Sequence, residues 1–396
     1  MQKWIKKIFG FGLASFLCDF GHEMTISLIP AVVLQFVGAD QVPFFLGILS
    51  SLCDACASFL RIFAGYVSDA SPHRKLIIMF GYGLSAVCTT LIGFAQSLWS
   101  VTFYRILSFA GSGIREPARD AIIATIVEPK HYGRAFGLRN AMDTLGSLFG
   151  PLLTFILIGI LSTQQIFVVS FIPGILAVFA ILFFTKNVAV VRKHTAVPLH
   201  FWNAWSRLPT SFLVLISILF IFDMSCFNKL LLLARAQEII DIDTHCVTKV
   251  LVLLYALFNL VRACSEFLIG FLSDYLNRII LLALLGCGTF AVASFLLMAH
   301  QASFVYCCGF FSLIAISAAV MHTLKKSCAA DMLPAEIRGL GYGVLQASQG
   351  FAALFSSALI GYLWTQFSAV LAFSYVIVLS LSAMILLIVF QLVYKK

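Results

Sequence analysis

Three ionisable side chains share one helix face in the first apolar stretch of this sequence. Asp19, His22 and Glu23 are spaced i, i+3 and i+4, and residues with that spacing lie side by side on an α-helix. A carboxylate held in a partly dry cavity can bind and release a proton near neutral pH. We therefore predict proton-binding residues here, with Glu23 first, and Asp19, Asp143 and His22 as further candidates. The alternatives are a fixed ion-pair network for the carboxylates and a hydrogen-bonded packing role for His22.

Ionisable residues are frequent throughout the apolar stretches. The acids are Asp19, Glu23, Asp54, Glu116, Asp120, Asp143, Asp223 and Glu266, and the bases are Arg61, Arg105, Arg115, Arg119, Arg139, Lys229 and Arg262. A charge at a bilayer centre costs at least about 2.5–3.5 kcal/mol. These side chains are therefore expected to pair with one another or to line a wet cavity. The spacing places Arg139 with Asp143, and Arg262 with Glu266, on shared helix faces.

A subset of these residues is predicted to face the cavity and its substrate: Arg105, Arg115, Arg119, Asp54, Arg139, Asp223, Arg262 and Glu266. Arginine forms paired hydrogen bonds with carboxylates and phosphates. Arg105 and Arg119 are therefore candidates for recognising an anionic substrate. Because eight acids stand against seven bases, the favoured alternative is that the acids use all the bases internally.

The composition indicates whether the chain folds in water or in a membrane. The 396-residue chain is 61% hydrophobic and 11% charged, with a mean hydropathy of +1.01. Soluble proteins are roughly 45–50% apolar and about 25% charged. The bilayer is therefore the expected solvent, and at about 20 residues per span the chain has room for about twelve spans. No soluble enzyme or receptor domain is left over.

Other classes of protein are not favoured. The net charge of +9 comes from bases scattered over short loops, so we expect no nucleic-acid partner. The eleven cysteines lie mostly in apolar runs and do not form a disulfide framework. Cys53 and Cys56 have metal-ligand spacing but read as small apolar helix residues. We expect no metal, no cofactor and no enzymatic activity.

Twelve apolar segments are predicted to span the membrane. They lie near 9–37, 44–68, 76–96, 98–126, 135–161, 166–185, 209–234, 247–273, 279–299, 303–324, 340–365 and 369–393. The first is read as an uncleaved span rather than a signal peptide. Every second loop carries the bases, namely Lys3, Lys6 and Lys7, Arg74 and Lys75, Lys130 and Arg134, Lys186 to Arg207, Arg278, Lys325, Lys326 and Arg338, and Lys395 and Lys396. This alternation predicts that both termini are cytoplasmic.

The two halves of the chain repeat. Gly65-Tyr66-Val67-Ser68-Asp69 recurs as Gly270-Phe271-Leu272-Ser273-Asp274, an offset of 205 residues. The polar stretch 186–208 lies at the midpoint and reads as a cytoplasmic linker. A parallel six-span repeat indicates two bundles around a central cavity. The predicted fold is an all-α membrane protein with 12 transmembrane helices, in an N-terminal bundle (1–185) and a C-terminal bundle (209–396).

Two motifs could belong to the moving parts of such a protein. Asp69 and Asp274 close spans, where a carboxylate can pair with a base or cap a neighbouring helix; with Gly65, Arg74, Lys75, Gly270 and Arg278 they form a predicted gating motif. Arg74 and Lys75 also fit simple topology anchors. In the fifth span, Gly137, Gly146, Gly150 and Pro151 predict close helix packing that ends in a kink.

These residues resemble the major facilitator superfamily (MFS) over essentially the whole chain. Gly65, Val67, Asp69, Arg74 and Lys75 resemble its G-x-L-x-D-x-x-G-[RK]-[RK] loop, with Ala70 and Pro72 as departures, and Asn277 stands at the glycine position in the second copy. Arg105, Gly111 and Gly113 resemble its fourth-span motif, with Phe109 as a departure. Gly137, Gly146, Gly150 and Pro151 resemble its antiporter signature, although Thr154 and Phe155 replace the closing glycines. Asp19 to Met24 and Pro117 to Ala121 look like a bacterial branch of transporters.

The resemblance implies a secondary transporter working by alternating access. We expect proton-coupled efflux of a small organic solute by antiport across the inner (plasma) membrane. The alternatives are proton-coupled uptake of an anionic metabolite or siderophore-like compound, and a non-transporting membrane receptor or scaffold. The expected partners are the solute, protons and the lipid bilayer, with a monomer as the default.

Overall fold

The computed structural model describes residues 3–26, 28–38, 42–185, 201–227, 229–239, 244–299 and 303–394. Most of the predicted linker, the acids Asp241 and Asp243 and the final two lysines lie outside these ranges. Every regular element in the described ranges is helical, as the composition predicts. The helices are α1 (Lys3–Ile26), α2 (Ile29–Leu34), α3 (Val42–Ala70), α4 (Arg74–Ile92), α5 (Leu98–Ile126), α6 (Tyr132–Leu157), α7 (Thr163–Phe184), α8 (Phe201–Trp205), α9 (Thr210–Asp223), α10 (Lys229–Ile239), α11 (Thr244–Leu272), α12 (Arg278–Leu281), α13 (Thr289–Leu296), α14 (Phe304–Met332), α15 (Arg338–Gln366) and α16 (Ala369–Val393).

Many of the described helices can cross a bilayer. Eight helical segments are long and apolar enough by themselves, and Thr210–Asp223 is a shorter apolar helix. The helices α3, α5 and α6 are also long, with 29, 29 and 26 residues, but carry several of the interior charges. The charges thus concentrate on a few helices rather than being spread evenly.

The helices group into two compact units. The first comprises residues 1–129, 142–208 and 333–350, and the second comprises 130–141, 209–332 and 351–396. In the first, α5 packs on α3 and α4, and α7 packs on α1 and α4. In the second, α14 packs on α11, and α16 packs on α9 and α13.

The first and seventh predicted spans are each broken, where the hydropathy pattern predicts continuous helices. The helix α1 ends at Ile26 and α2 begins at Ile29, with Pro30 in its first turn. Proline has no backbone N–H to continue the hydrogen-bond ladder, so the break falls just before it. In the second half, α9 ends at Asp223 and α10 begins at Lys229. These two side chains therefore lie at the facing ends of a broken span.

The tenth span extends further than predicted. The helix α14 continues through Lys325 and Lys326 to Met332, and both lysines are buried, with exposures of 3% and 7%. Their assignment to a basic loop is therefore wrong. Between α12 and α13, a π-helical segment (Leu282–Gly288) makes the ninth span continuous from Arg278 to Leu296.

Candidate functional site

A cavity of about 180 Å³ lies inside the first unit. Two predicted proton-binding residues of α1, Asp19 and His22, line it, together with Arg115 from α5. An ion pair on the same wall joins Arg61 Nε to Glu116 Oε2 at 3.2 Å. The cavity is thus lined by two acids, two arginines and a histidine, and its charged groups nearly cancel.

Arg115 is an arginine of the cavity wall whose guanidinium is held by residues of α4. Its NH1 donates to Ser85 Oγ at 2.8 Å, and its guanidinium carbon lies 4.7 Å from the ring centroid of Tyr82. The side chain is 5% exposed, and among the described residues its Nε has no hydrogen-bond acceptor. Arg115 is therefore held in place but retains a donor.

Arg105 and Arg119, also predicted to face the cavity, are not among the residues that line it. Arg119 is 2% exposed and donates to Ser15 Oγ and Tyr82 Oη, both at 3.2 Å, and to Asp120 Oδ1 at 3.4 Å. Gln346 Nε2 donates to the other oxygen of Asp120 at 2.8 Å. This buried network connects several helices of the unit.

Two of the remaining predicted residues of the first unit, Asp54 and Glu23, lie near Arg105. Its guanidinium lies 5.3 Å from the ring centroid of Phe109. It interacts electrostatically with Asp54 and Glu23, and Asp143 interacts with Arg119. Glu23 and Asp143 are therefore partly buried carboxylates with an arginine nearby.

A second cavity, of about 220 Å³, lies inside the second unit. Its wall combines phenylalanines with Asp223, Lys229 and Arg262. Lys325 Nζ donates to Asp223 Oδ1 at 2.5 Å, so this carboxylate has a buried counterion. Two predicted residues, Asp223 and Arg262, therefore meet in this cavity.

Arg262 is held by a buried acid and a histidine. Its Nε donates to Glu266 Oε1 at 3.2 Å, as the i, i+4 spacing predicts, and Glu266 is fully buried. His322 Nδ1 lies 2.7 Å from the same oxygen and 3.0 Å from Arg262 NH2. When Nδ1 carries hydrogen it donates to Glu266, and when it does not it accepts from Arg262. Arg139, also predicted for the cavity, instead donates to Asn140 Oδ1 at 2.7 Å.

The predicted gating acids cap the start of other helices. Asp69 accepts hydrogen bonds from the backbone N–H groups of Gly339 and Leu340, at 2.9 and 2.8 Å. Asp274 accepts equivalent bonds from Gly133 at 2.9 Å and from Arg134 at 3.4 Å. A carboxylate at a helix N-terminus meets unsatisfied donors and the positive end of the dipole.

Glycines allow these helices to approach so closely. A Cβ added to Gly65 would overlap the carbonyl oxygen of Gly339, and one on Gly270 would lie 2.5 Å from that of Gly133. In each case a glycine one turn before the acid allows the two helices to come close enough for the acid to cap the neighbouring one. The sequence repeat of Gly65 to Asp69 and Gly270 to Asp274 therefore corresponds to the same helix-capping contact in both places.

The bases of the gating motif support the acids. Arg74 forms an ion pair with Asp69 and donates to Ser68 O at 3.0 Å. Arg278 NH2 donates to Asp274 Oδ1 at 3.1 Å. Lys75 instead donates to two carbonyls at the end of α7, both at 2.7 Å, which fits an anchor.

Both capping acids lie just beyond the predicted spans 44–68 and 247–273. Burial raises the pKa of Asp69 to about 6, although Arg74 and the two backbone N–H groups oppose this shift. Burial likewise raises the pKa of Asp274, against the same kinds of contact. Each acid therefore binds a proton more tightly in its capping position than in water.

The glycines of α6 pack against α1 and α11. Added Cβ atoms on Gly146 and Gly150 would overlap backbone atoms of Phe16 and Phe20, and one on Gly137 would lie 2.5 Å from the carbonyl oxygen of Glu266. The helix continues through Pro151 to Leu157. The glycine contacts thus lie beside the segment that carries Asp19 and Glu23.

Sequence reasoning missed several polar residues that line the cavities or hold the charged groups at them. Lys325 and His322 lie in α14, and Tyr82 and Ser85 in α4. Lys325 and His322 align with Arg119 and Glu116 in the repeat, at an offset of 206 residues. Extending the repeat to these positions would have predicted that they face inward.

Comparisons with known proteins agree with this architecture. The Major Facilitator Superfamily profile matches residues 11–245 and again 213–395. The "Uncharacterized MFS-type transporter MJ1317" of Methanocaldococcus jannaschii is 28% identical over 387 residues, covering 96% of this chain and 94% of that protein. The "Multidrug resistance protein MdtG" of Proteus mirabilis is 25% identical over 199 residues, about half of each chain.

Solved structures show the same fold at low sequence identity. The Escherichia coli fucose:proton symporter FucP gives a TM-score of 0.77 at 13% identity and covers both chains completely. The human organic anion transporter MFSD10 (TETRAN) gives 0.76 at 13% identity, over 98% of this chain and all of that one. The predicted all-helical MFS fold is therefore confirmed, and the chain belongs to the Major Facilitator Superfamily, as a non-enzymatic secondary transporter of the membrane.

Proposed function

We propose that this transporter exports a small organic solute in exchange for protons. The observation that carries the proposal is an excess of acids inside the first unit. Of the charged residues predicted to lie within the spans, six acids belong to it (Asp19, Glu23, Asp54, Glu116, Asp120 and Asp143), against four arginines (Arg61, Arg105, Arg115 and Arg119). Asp69 and Arg74, at the end of a span in the same unit, form an ion pair and leave this difference unchanged. Because unbalanced interior charge is unfavourable, proton binding to this group of acids restores neutrality.

The positions of the acids indicate where protons enter. Asp19 lines the cavity, and Glu23 lies one turn further along α1. Arg105 interacts with Glu23, so proton binding to Glu23 would change the charge that Arg105 meets. Glu23 and Asp19 are therefore the proposed coupling residues, with His22 and Asp143 as neighbours that adjust them.

The capping acids supply the gate in this proposal. Alternating access would occur between residues 1–185 and 209–393, in a plasma membrane with both termini in the cytoplasm. Formation and loss of the Asp69 and Asp274 contacts would accompany the exchange of states. Their buried carboxylates and glycine contacts fit a junction that forms fully or not at all.

Export is favoured over uptake by two observations. The antiporter-like glycines Gly146 and Gly150 pack directly on the helix that carries Asp19 and Glu23. Relatives that cover about half or a third of the chain include proteins named for multidrug resistance. A site on α1 that binds protons is thus in contact with the segment whose pattern goes with antiport.

The direction is tested by metabolite profiles of cytoplasm and medium, taken from cells with and without the gene. A compound that accumulates inside and is lost from the medium in the deletion strain supports export and identifies the solute. A compound left in the medium and missing inside would mean uptake and would end the antiport proposal.

Coupling is tested with Glu23→Gln, using the exposed Glu336→Gln as the matched control. Uptake of the identified solute into inverted vesicles, driven by an imposed pH gradient, should be lost in Glu23→Gln and unchanged in the control. Wild-type transport and wild-type pH dependence in Glu23→Gln would remove it from the coupling site.

A further inference from the structure

Four phenylalanines contribute to the wall of the cavity in the second unit, together with aliphatic side chains such as Leu232 and Ile314. Phe222 and Phe290 have ring centroids 5.4 Å apart, and Phe227 lies 5.6 Å from Phe290. Phe258 lines another part of the wall. The rings provide a continuous apolar surface for a flat organic group.

One positive charge on this wall is not balanced. The ammonium of Lys229 lies 5.4 Å from the ring centroid of Tyr255 and 5.7 Å from that of Phe258. Within the described ranges, it has neither a hydrogen-bond acceptor nor an ion-pair partner. The ring faces compensate only part of what an interior ammonium loses by leaving water. The site therefore retains a strong preference for an anion.

The other charges at the cavity each have an ion-pair partner. Asp223 pairs with Lys325 through Oδ1, although its buried Oδ2 has no hydrogen-bond partner among the described residues, and Arg262 pairs with Glu266. Lys229 thus determines the sign of charge that an incoming molecule meets. A cationic ligand would be repelled by Lys229, which also occupies two of the ring faces that could bind such a cation.

We propose that this cavity binds a small organic anion that joins an acidic group to an aromatic or similarly flat apolar body. The acid binds Lys229 and NH1 of Arg262, for which the described residues offer no acceptor, and the body packs among the phenylalanines. The volume of about 220 Å³ is below the roughly 300–1,000 Å³ of sites for drug-sized ligands. The expected ligand therefore has about the size of a single aromatic ring that bears one carboxylate. This inference rests on the proposed transport function and assigns its substrate class.

The test uses the purified full-length protein in detergent, with no membrane or gradient. A cysteine-reactive dye reports thermal unfolding, because most of the described cysteines are buried or partly buried. The probes are phenylacetate, neutral phenylacetamide, cationic phenethylamine and ring-free acetate, at equal millimolar concentration and ionic strength near neutral pH. We expect only phenylacetate to raise the unfolding midpoint in proportion to its concentration.

Three variants locate the effect. Lys229→Gln should lose the phenylacetate shift, Lys229→Arg should retain most of it, and Arg207→Gln, which removes an exposed charge elsewhere, should leave it unchanged. Equal shifts with phenylacetate and phenylacetamide, a full shift in Lys229→Gln, or no shift in the wild-type protein would each overturn the proposal. Because this assay needs no proton coupling, those results would leave export itself intact, whereas a failed vesicle assay with a positive binding assay would do the reverse.

Discussion

The same pair of positions carries opposite chemistry in the two halves of the chain. Arg61 and Glu116 form an ion pair in the first unit, and Glu266 and His322, which follow them by 205 and 206 residues, form a hydrogen-bonded pair in the second. Glu266 thus stands at the position of Arg61, and His322 at the position of Glu116. The side chains at the two positions are in contact in both units, but their charges differ.

The difference extends to the whole interior of each unit. Of the charged residues predicted to lie within the spans, the first unit contains six acids and four bases, whereas the second contains two acids, Asp223 and Glu266, and three bases, Arg139, Lys229 and Arg262. The helix α14 adds two buried bases to the second unit, Lys325 and Lys326. An acidic interior favours proton binding, and a basic interior favours an anion. Proton and solute are therefore expected to use different halves of one symmetric scaffold.

The largest predicted effect distinguishes a paired lysine from an unpaired one. Lys325→Gln leaves Asp223, which is 9% exposed, as a buried charge without its partner, so the free energy of unfolding should fall by about 3–5 kcal/mol. The unfolding midpoint and the fraction of monodisperse protein after extraction measure this loss. The double variant Asp223→Asn/Lys325→Gln should recover most of it, and a wild-type midpoint for Lys325→Gln alone would show that the pair is not needed.

Glu266 and Glu116, the acids of the two equivalent pairs, should contribute unequally to stability. Glu266 binds both His322 and Arg262. Glu266 is fully buried, so Glu266→Gln leaves the charge of Arg262 poorly compensated and should cost about 1–3 kcal/mol. Glu116 has a side-chain exposure of 25%, and Glu116→Gln should cost at most about 1 kcal/mol. Thermal unfolding of the two variants in one detergent compares them directly. If Glu116→Gln cost more stability than Glu266→Gln, the more deeply buried acid would not be the one that stabilises its unit more.

The sequence predicts the fold better than the partners of the charged residues. Hydropathy and loop charge are properties of neighbouring residues and predict the helices and their order. The repeat of Gly65 to Asp69 as Gly270 to Asp274 predicts the two halves. The contact between Arg262 and Glu266 was predicted because both lie on one helix. The partner of Asp223, by contrast, lies 102 residues away in α14, and no spacing rule reaches that far.

Two errors have a common physical origin. Lys325 was assigned to a loop because hydropathy treats every lysine as exposed, although a buried carboxylate can stabilise it. The hydropathy pattern predicts continuous first and seventh spans because the few residues at each break, such as Leu28 and Met224 to Phe227, stand within long apolar stretches. In both cases tertiary contacts or backbone chemistry outweigh the local pattern.

A smaller effect concerns pH and the capping acids. Burial raises the pKa of Asp69 to about 6, from 3.8 for an exposed aspartate, so the capped state binds a proton more tightly than a state in which Asp69 meets water. Capping is therefore favoured as the pH falls and loses this contribution as the pH rises past about 6. From about pH 7 to about pH 5 the capped fraction relative to the uncapped should rise roughly tenfold.

This pH effect can be measured by fluorescence quenching between a bimane at Ala70→Cys and a tryptophan at Glu336→Trp, with the exposed Cys264 replaced by serine. Both positions lie on exposed residues beside the contact of Asp69 with Gly339. Quenching should increase at the lower pH and lose its pH dependence in Asp69→Asn. A pH dependence that persists in that variant would assign the proton to another group.

The smallest predicted effect on stability is also the sharpest check on the comparison. Lys229→Gln removes an interior charge that has no ion-pair partner in the described residues and loses ring contacts of about 0.5–2 kcal/mol, so the two changes should nearly cancel. We expect the ligand-free unfolding midpoint to stay close to that of the wild-type protein, far above that of Lys325→Gln. If Lys229→Gln leaves the stability unchanged but abolishes phenylacetate binding, the role of Lys229 is to bind the ligand, because the fold does not require its charge. A loss as large as that in Lys325→Gln would instead place Lys229 among the charges that the fold itself requires, and the anion-binding proposal would lose the observation on which it rests.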